Sequence, residues 1–213
     1  MINIYLLRHG ETEQGSAKRC IGITDIPLSE NGREQARCLR DYFVPTSLSG
    51  IFCSDALRAV DTAEIIADGR LPVTRLSDLH EIDMGTWEGM YFVEIKEKFP
   101  DEYKRRGLAF ATFAPPGGES FSACQKRAFT VLHSILRDTE GDIAIVGHAG
   151  FNRTLICGLS GMGLSLGEVF SVPQPFGCVN QLVSENGVCY LLQAGFTVEQ
   201  EKSITAQYAL VGV

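Results

Sequence analysis

Short apolar runs alternate along this chain with stretches whose apolar positions recur at helical spacing. Residues 2–7 form a near-continuous apolar run, the pattern of a strand buried on both faces. Ser29 is placed to cap a helix that carries Gln35, Ala36, Leu39 and Phe43 at helical spacing. Residues 48–54 predict a second strand. Asp55 opens a helix with Ala56, Ala59, Val60, Ala63, Ile66 and Ala67 facing inward, and 71–75 a short third strand. A helix is expected over 90–99, ended by Pro100. A long amphipathic helix over 119–139 turns Phe121, Cys124, Ala128, Val131, Leu132 and Ile135 inward. The apolar run 142–146 predicts a strand and 151–159 a helix. Residues 180–184 and 188–193 flank Glu185-Asn186-Gly187, whose Asn-Gly marks a hairpin. Such alternation predicts an α/β fold. It should be a single three-layer domain over 1–213, with a mostly parallel central sheet, helices on both faces and an antiparallel C-terminal hairpin. The less regular segment 82–117 reads as an insertion covering the substrate.

Two of the apolar runs end alike. The first enters Arg8-His9-Gly10 and the later one enters Gly147-His148-Ala149-Gly150. Ligands bind outside the carboxyl ends of strands in open α/β sheets. If the two strands are neighbours, His9 and His148 meet there. A third strand delivers Ser54-Asp55 and, one turn into its helix, Arg58. Arginine's planar fork matches phosphate oxygens. An imidazole flanked by Arg8 and Arg58 should be held neutral, which suits a nucleophile toward phosphorus. Both guanidiniums would offset charge on the transferring group, and His148 would donate to it. A leaving alkoxide needs a proton. Glu81, among Leu79, Ile82, Met84 and Trp87, is the candidate donor, desolvated enough to be a general acid at neutral pH.

Composition narrows the partners. The chain has 213 residues, 45% hydrophobic and 21% charged, and a formal net charge of −7. That charge argues against nucleic acid or an anionic membrane as partner, while a local arginine cluster still suits a small phosphorylated metabolite. No run reaches the length of a membrane span. The opening apolar run is short and ends in Arg-His, unlike a signal peptide, and the seven cysteines include no Cys-x-x-Cys pair. Reduced thiols and a cytoplasmic location are therefore expected. No cofactor is called for, and no His-x-x-x-His spacing suggests a metal. The apolar stretch 208–213 is a candidate to dock on the domain or on a second copy, which leaves a homodimer open.

The motifs resemble a family. Leu7-Arg8-His9-Gly10-Glu11-Thr12 is similar to the signature of the histidine phosphatase superfamily, the phosphoglycerate-mutase-like proteins. The likeness continues, in the family's order, through residues 22–32, Cys53-Ser-Asp-Ala-Leu-Arg58, Glu81 with Gly85-Thr-Trp-Glu-Gly89, Gly117-Gly-Glu-Ser120 and Val146-Gly-His-Ala-Gly150. The resemblance implies that His9 becomes a phosphohistidine, that Arg8, Arg58 and His148 form the phosphate pocket together with Ile21, Gly22 and Ala149, and that Glu81 donates the proton. The short run from Gly89 to Gly117 resembles the phosphatase branch, where the mutases carry a longer insertion. Residues 115–121 and the hairpin look most like those of the α-ribazole phosphatases of cobalamin assembly. The alternatives are phosphoglycerate-mutase-type transfer to a returning substrate and a non-catalytic phosphate-ester binder. One position departs from the pattern: Gly15 stands where the family often has a phosphate-holding Asn, so a backbone N–H or Gln14 would have to serve.

Other signals read as structural. Gly163-Leu-Ser-Leu-Gly167 matches the serine-hydrolase elbow, yet no strand precedes it. His133 falls on the long helix, and His80 reads as a partly exposed structural residue beside Glu81. Glu11 and Thr12 read as residues that tie down the loop.

Overall fold

Apolar runs and amphipathic faces pair off as six strands between two helical layers in the computed structural model, which describes residues 1–14 and 19–199. The strands are β1 (Ile2–Arg8), β2 (Leu48–Cys53), β3 (Val73–Arg75), β4 (Asp142–Gly147), β5 (Val179–Glu185) and β6 (Val188–Phe196). Their order is β3-β2-β4-β1-β5-β6. The first four are mutually parallel, and β5 and β6 run antiparallel at the end, turned through Asn186 and Gly187, both at positive φ. Strands β1 and β4 are direct neighbours, with Arg8 opposite Gly147. The condition for His9 and His148 to meet is thus fulfilled.

The helices are α1 (Glu30–Phe43), α2 (Leu57–Ala67), α3 (Phe92–Lys98), α4 (Pro100–Leu108), α5 (Phe121–Arg137), α6 (Ala149–Leu159) and α7 (Leu166–Ser171), with 3₁₀ turns at Ser77–Leu79 and Gly85–Trp87. One face of the sheet buries Leu39, Phe43, Ala59, Ala63 and Ile66 from α1 and α2 against Leu7, Ile51 and Val146. The other buries Cys124, Ala128, Leu132, Phe151 and Leu155 from α5 and α6 against Ile4, Leu6 and Ile145. A satellite cluster of Cys20, Trp87, Ile95 and Phe113 lies under α3 and α4. Ser29 and Ser120 cap α1 and α5 through their side chains, as their placement ahead of each apolar face requires.

Two helices were not legible in the pattern. Pro100 follows the end of α3, and it also occupies the first position of α4, where its missing N–H costs nothing. Helix α4 buries none of its residues, so it carries no apolar period to detect. The glycine-rich decoy turn at 163–167 contains the start of α7, whose N-cap Ser165 forms a capping box with Glu168. The elbow serine is a helix cap. All seven cysteines are free thiols. Among the described residues no helix is long and apolar enough to cross a membrane. Gly15 and the 208–213 stretch lie outside the described residues.

Candidate active site

The carboxyl ends of β1 and β4 deliver the two histidines. Their ring centroids lie 5.1 Å apart, edge to face, and both side chains are buried. His9 Nδ1 sits 2.7 Å from the carbonyl oxygen of Gly10. A carbonyl can only accept, so the proton lies on Nδ1 and Nε2 keeps its lone pair. His9 is held neutral, well below the usual histidine pKa of 6.5, first by burial and then by the Arg8 and Arg58 charges. Burial and the nearby Arg58 do the same to His148. Neither ring nitrogen of His148 has a hydrogen-bond partner among the described residues.

Both arginines are fixed by acceptors that leave guanidinium donors over. Arg8 stacks on the Phe176 ring at 3.7 Å and donates through Nη1 to the carbonyl of Gln174, while its buried Nε is unpaired among the described residues. Burial lowers its pKa to about 10, so the cation persists at neutral pH. Arg58 is 2% exposed. It donates to the carbonyls of Thr24 at 2.8 Å and Gly22 at 2.7 Å. Those loop residues are held in turn by Glu88, which accepts from the Gly22 and Thr24 amides. The glutamate of the Gly-Thr-Trp-Glu-Gly segment thus latches the loop that orients Arg58, while Trp87 beside it is core.

Glu81 is gripped by backbone. Its carboxylate accepts from the amides of Ile82, Gly150 and Phe151, each at 2.9 Å. The last two belong to the first turn of α6, whose free N–H groups and dipole attract an anion. Gly150 explains itself here, because a Cβ at that position would stand 2.6 Å from Glu81 Oε1. Only glycine lets the carboxylate reach the helix end. The loop after His9 is pinned as closely. The amide of Gly10 donates to Thr62 Oγ1 at 3.1 Å, and any Cβ on Gly32 would collide with the carbonyl of Glu11. Glu11 accepts from Ser29 and Asn31 and so ties that loop to α1.

These groups enclose a pocket of about 180 Å³ walled by Arg8, His9, Arg58, Glu81, Ile21 and Ala149, with Thr12, Gln14, Arg19 and Phe176 completing it. Gly22 lies in the adjoining pocket on the far side of Glu81, together with Asp25, Asp55 and His80. His133 is remote from the histidine pair in sequence and packs on Phe129. Sequence reasoning missed Arg19, Thr62, Phe176 and a buried amide network. Asn152 Nδ2 donates to the Leu7 carbonyl and to Gln174 Oε1. Asn180 Nδ2 donates to the Leu6 carbonyl, and Gln174 Nε2 donates to Asn180 Oδ1. The network fixes the last residues of β1 immediately before Arg8. Polar residues at buried strand positions were its one signal. No group of His, Cys, Asp or Glu that could hold a metal occurs among the described residues.

A pocket walled by a neutral imidazole and buried guanidiniums at the carboxyl edge of a parallel sheet, with the fully buried His148 packed against His9 rather than in the wall, defines an enzyme that handles a phosphorylated anion. The histidine phosphatase superfamily (branch 1) matches residues 4–197. Phosphoserine phosphatase 1 of Hydrogenobacter thermophilus is 31% identical over 182 residues, covering 84% of this chain and 83% of that protein. Adenosylcobalamin/alpha-ribazole phosphatase of Escherichia coli is 30% identical over 182 residues, 83% of this chain and 87% of that one. The structure of YhfR from Bacillus stearothermophilus superposes with a TM-score of 0.82 at 31% identity, over 92% of this chain and 97% of that one. The chain belongs to the histidine phosphatase superfamily, and it is a phosphatase of that type.

Proposed function

We propose that the protein hydrolyses a small phosphorylated metabolite, without a metal ion, through a phosphohistidine on His9. The observation that carries this reading is the free Nε2 of a neutral His9 beside Arg8 and Arg58 in one pocket. The Nε2 lone pair attacks phosphorus as the ester P–O bond breaks, and Glu81 passes its proton to the departing oxygen. Arg8, Arg58 and an N–H of His148 carry the charge on the equatorial oxygens. Water then attacks the phosphohistidine, Glu81 takes its proton, the N–P bond breaks and phosphate leaves.

For the substrate, residues 115–121, the terminal hairpin and the 30% identity to the Escherichia coli enzyme support α-ribazole 5′-phosphate. The test is a panel of that ester, phosphoserine, phosphoglycerates and an aryl phosphate, with released phosphate as readout. We expect turnover of the aryl phosphate and the highest kcat/KM on α-ribazole 5′-phosphate. A bisphosphate requirement with little phosphate released would replace the reading by a mutase. No turnover of any ester would leave a binding protein.

A further inference from the structure

Gly117-Gly-Glu-Ser120 belongs to the family pattern, yet beyond the Ser120 cap of α5 it has no part in the chemistry above. Its glutamate closes a bidentate ion pair with Arg127 on α5. The Glu119 carboxylate accepts from Arg127 Nε at 3.0 Å and from Nη2 at 2.6 Å. Both side chains are largely buried, at 15% and 14% exposure. A fork-to-fork pair of this kind fixes the plane of the guanidinium as well as its charge. A buried ion pair gains little net stability, because desolvation offsets the attraction. What this one fixes is position.

The remaining guanidinium nitrogen, Nη1, reaches the segment that carries Glu81. It donates to the carbonyls of Asp78 at 2.8 Å and His80 at 2.9 Å. The His80 carbonyl carbon is bonded to the Glu81 nitrogen, so Arg127 holds the planar peptide immediately before the acid. The same guanidinium lies 5.5 Å from the ring of Phe151, whose amide is one of the three that grip the Glu81 carboxylate. On the other side of Glu81, the Glu119 amide donates to the Asp83 carbonyl at 2.8 Å. A Cβ on Gly118 would stand 2.6 Å from that same oxygen. Glu119 and Arg127 therefore bracket Glu81 along the chain, one at residue 83 and the other at residues 78 and 80.

We propose that the Glu119–Arg127 pair positions the general acid. Arg127 sets the peptide plane that leads into Glu81, and Glu119 sets the plane of Arg127. Neither side chain lies in the wall of the phosphate pocket, so both are positioning residues that act through Glu81. The inference rests on Glu81 being the acid of the proposed reaction. The loss on breaking the pair should be confined to esters whose leaving oxygen needs a proton. The experiment measures kcat/KM, which reports steps only up to departure of the leaving group. Its substrates are 4-nitrobenzyl phosphate, an alkyl ester, and 4-nitrophenyl phosphate, an aryl ester of nearly the same size. The ratio of the two is taken on one preparation, so a partly unfolded variant does not change it.

Arg127→Lys keeps the charge but cannot span the Glu119 carboxylate and both carbonyls. It should lower the benzyl-to-phenyl ratio by roughly tenfold to 10²-fold, as an ångström-scale misplacement of the acid does. Glu119→Ala should lower the ratio in the same way, and Glu119→Gln, whose amide oxygen still accepts, should recover part of it. Glu81→Gln should lower the ratio by itself, and adding Arg127→Lys to it should lower it no further, because both act at one group. Equal losses on the two esters, no loss in Arg127→Lys, or additive losses in the double variant would each overturn the proposal. A Glu81→Gln protein with an unchanged ratio would instead remove the acid itself, and this proposal with it.

Discussion

His9 and His148 are buried neutral, and that has a price in acid. Their pKa values lie below 6.5 in the folded protein, chiefly through burial, whereas the unfolded chain protonates near 6.5. Stability is therefore full above that value and falls as the pH drops below it. The loss is about 1.4 kcal/mol per pH unit for each histidine until the folded-state values are reached. Urea unfolding at about pH 7.5 and about pH 5.5 should show this loss, and His148→Asn should reduce its slope. An unchanged slope would show that the imidazole charges in the folded state. At the same scale, Glu81→Gln should lower kcat/KM, which reports steps only up to departure of the leaving group, by roughly 10² to 10⁴-fold for alkyl esters, and much less for an aryl phosphate whose leaving group needs no proton. Equal losses on both substrates would remove Glu81 from the role of acid.

Elements hold these residues through close backbone contact. Gly150→Ala would push the Glu81 carboxylate off the first turn of α6. It should cost roughly 10²-fold in kcat, as an ångström-scale misplacement does, with little change in far-ultraviolet circular dichroism. Asn180→Ala would leave the Leu6 carbonyl without that donor and Gln174 Nε2 without that acceptor, at about 1–3 kcal/mol. Thermal unfolding measures it. Much of this scale was legible in the chain. Runs 2–7 and 142–146 are apolar enough to be central strands, and each ends in a histidine, so the meeting of His9 and His148 followed from sheet geometry. The rest was not. Helix α4 has no buried face, and α7 lies behind a glycine-rich turn. Gln174, Asn152 and Asn180 are single polar residues whose partners stand on other elements, so no local period encodes them. The burial of Arg58 depends on carbonyls of a loop that Glu88 latches from more than sixty residues away.

At the scale of the molecule, a chain of net charge −7 concentrates Arg8, Arg19 and Arg58 in one pocket. Inorganic phosphate should bind there. At about 100 times its dissociation constant it should stabilise the fold by about 2.7 kcal/mol, raising Tm by several degrees in a thermal-shift measurement. Activity should be unchanged after exhaustive treatment with a chelator, because the proposed route needs only side chains. A loss restored by one divalent cation would contradict it.

The central claim is a covalent bond at His9. Rapid acid-free denaturation after mixing with a ³²P-labelled aryl phosphate should leave label on the protein that survives base, is lost in acid, and maps by mass spectrometry to the peptide containing His9. Substituting His9→Ala should abolish the label and lower turnover by at least about 10³-fold, as removal of a covalent nucleophile does. A His9→Ala protein of wild-type activity, or one that still carries base-stable label, would contradict the account.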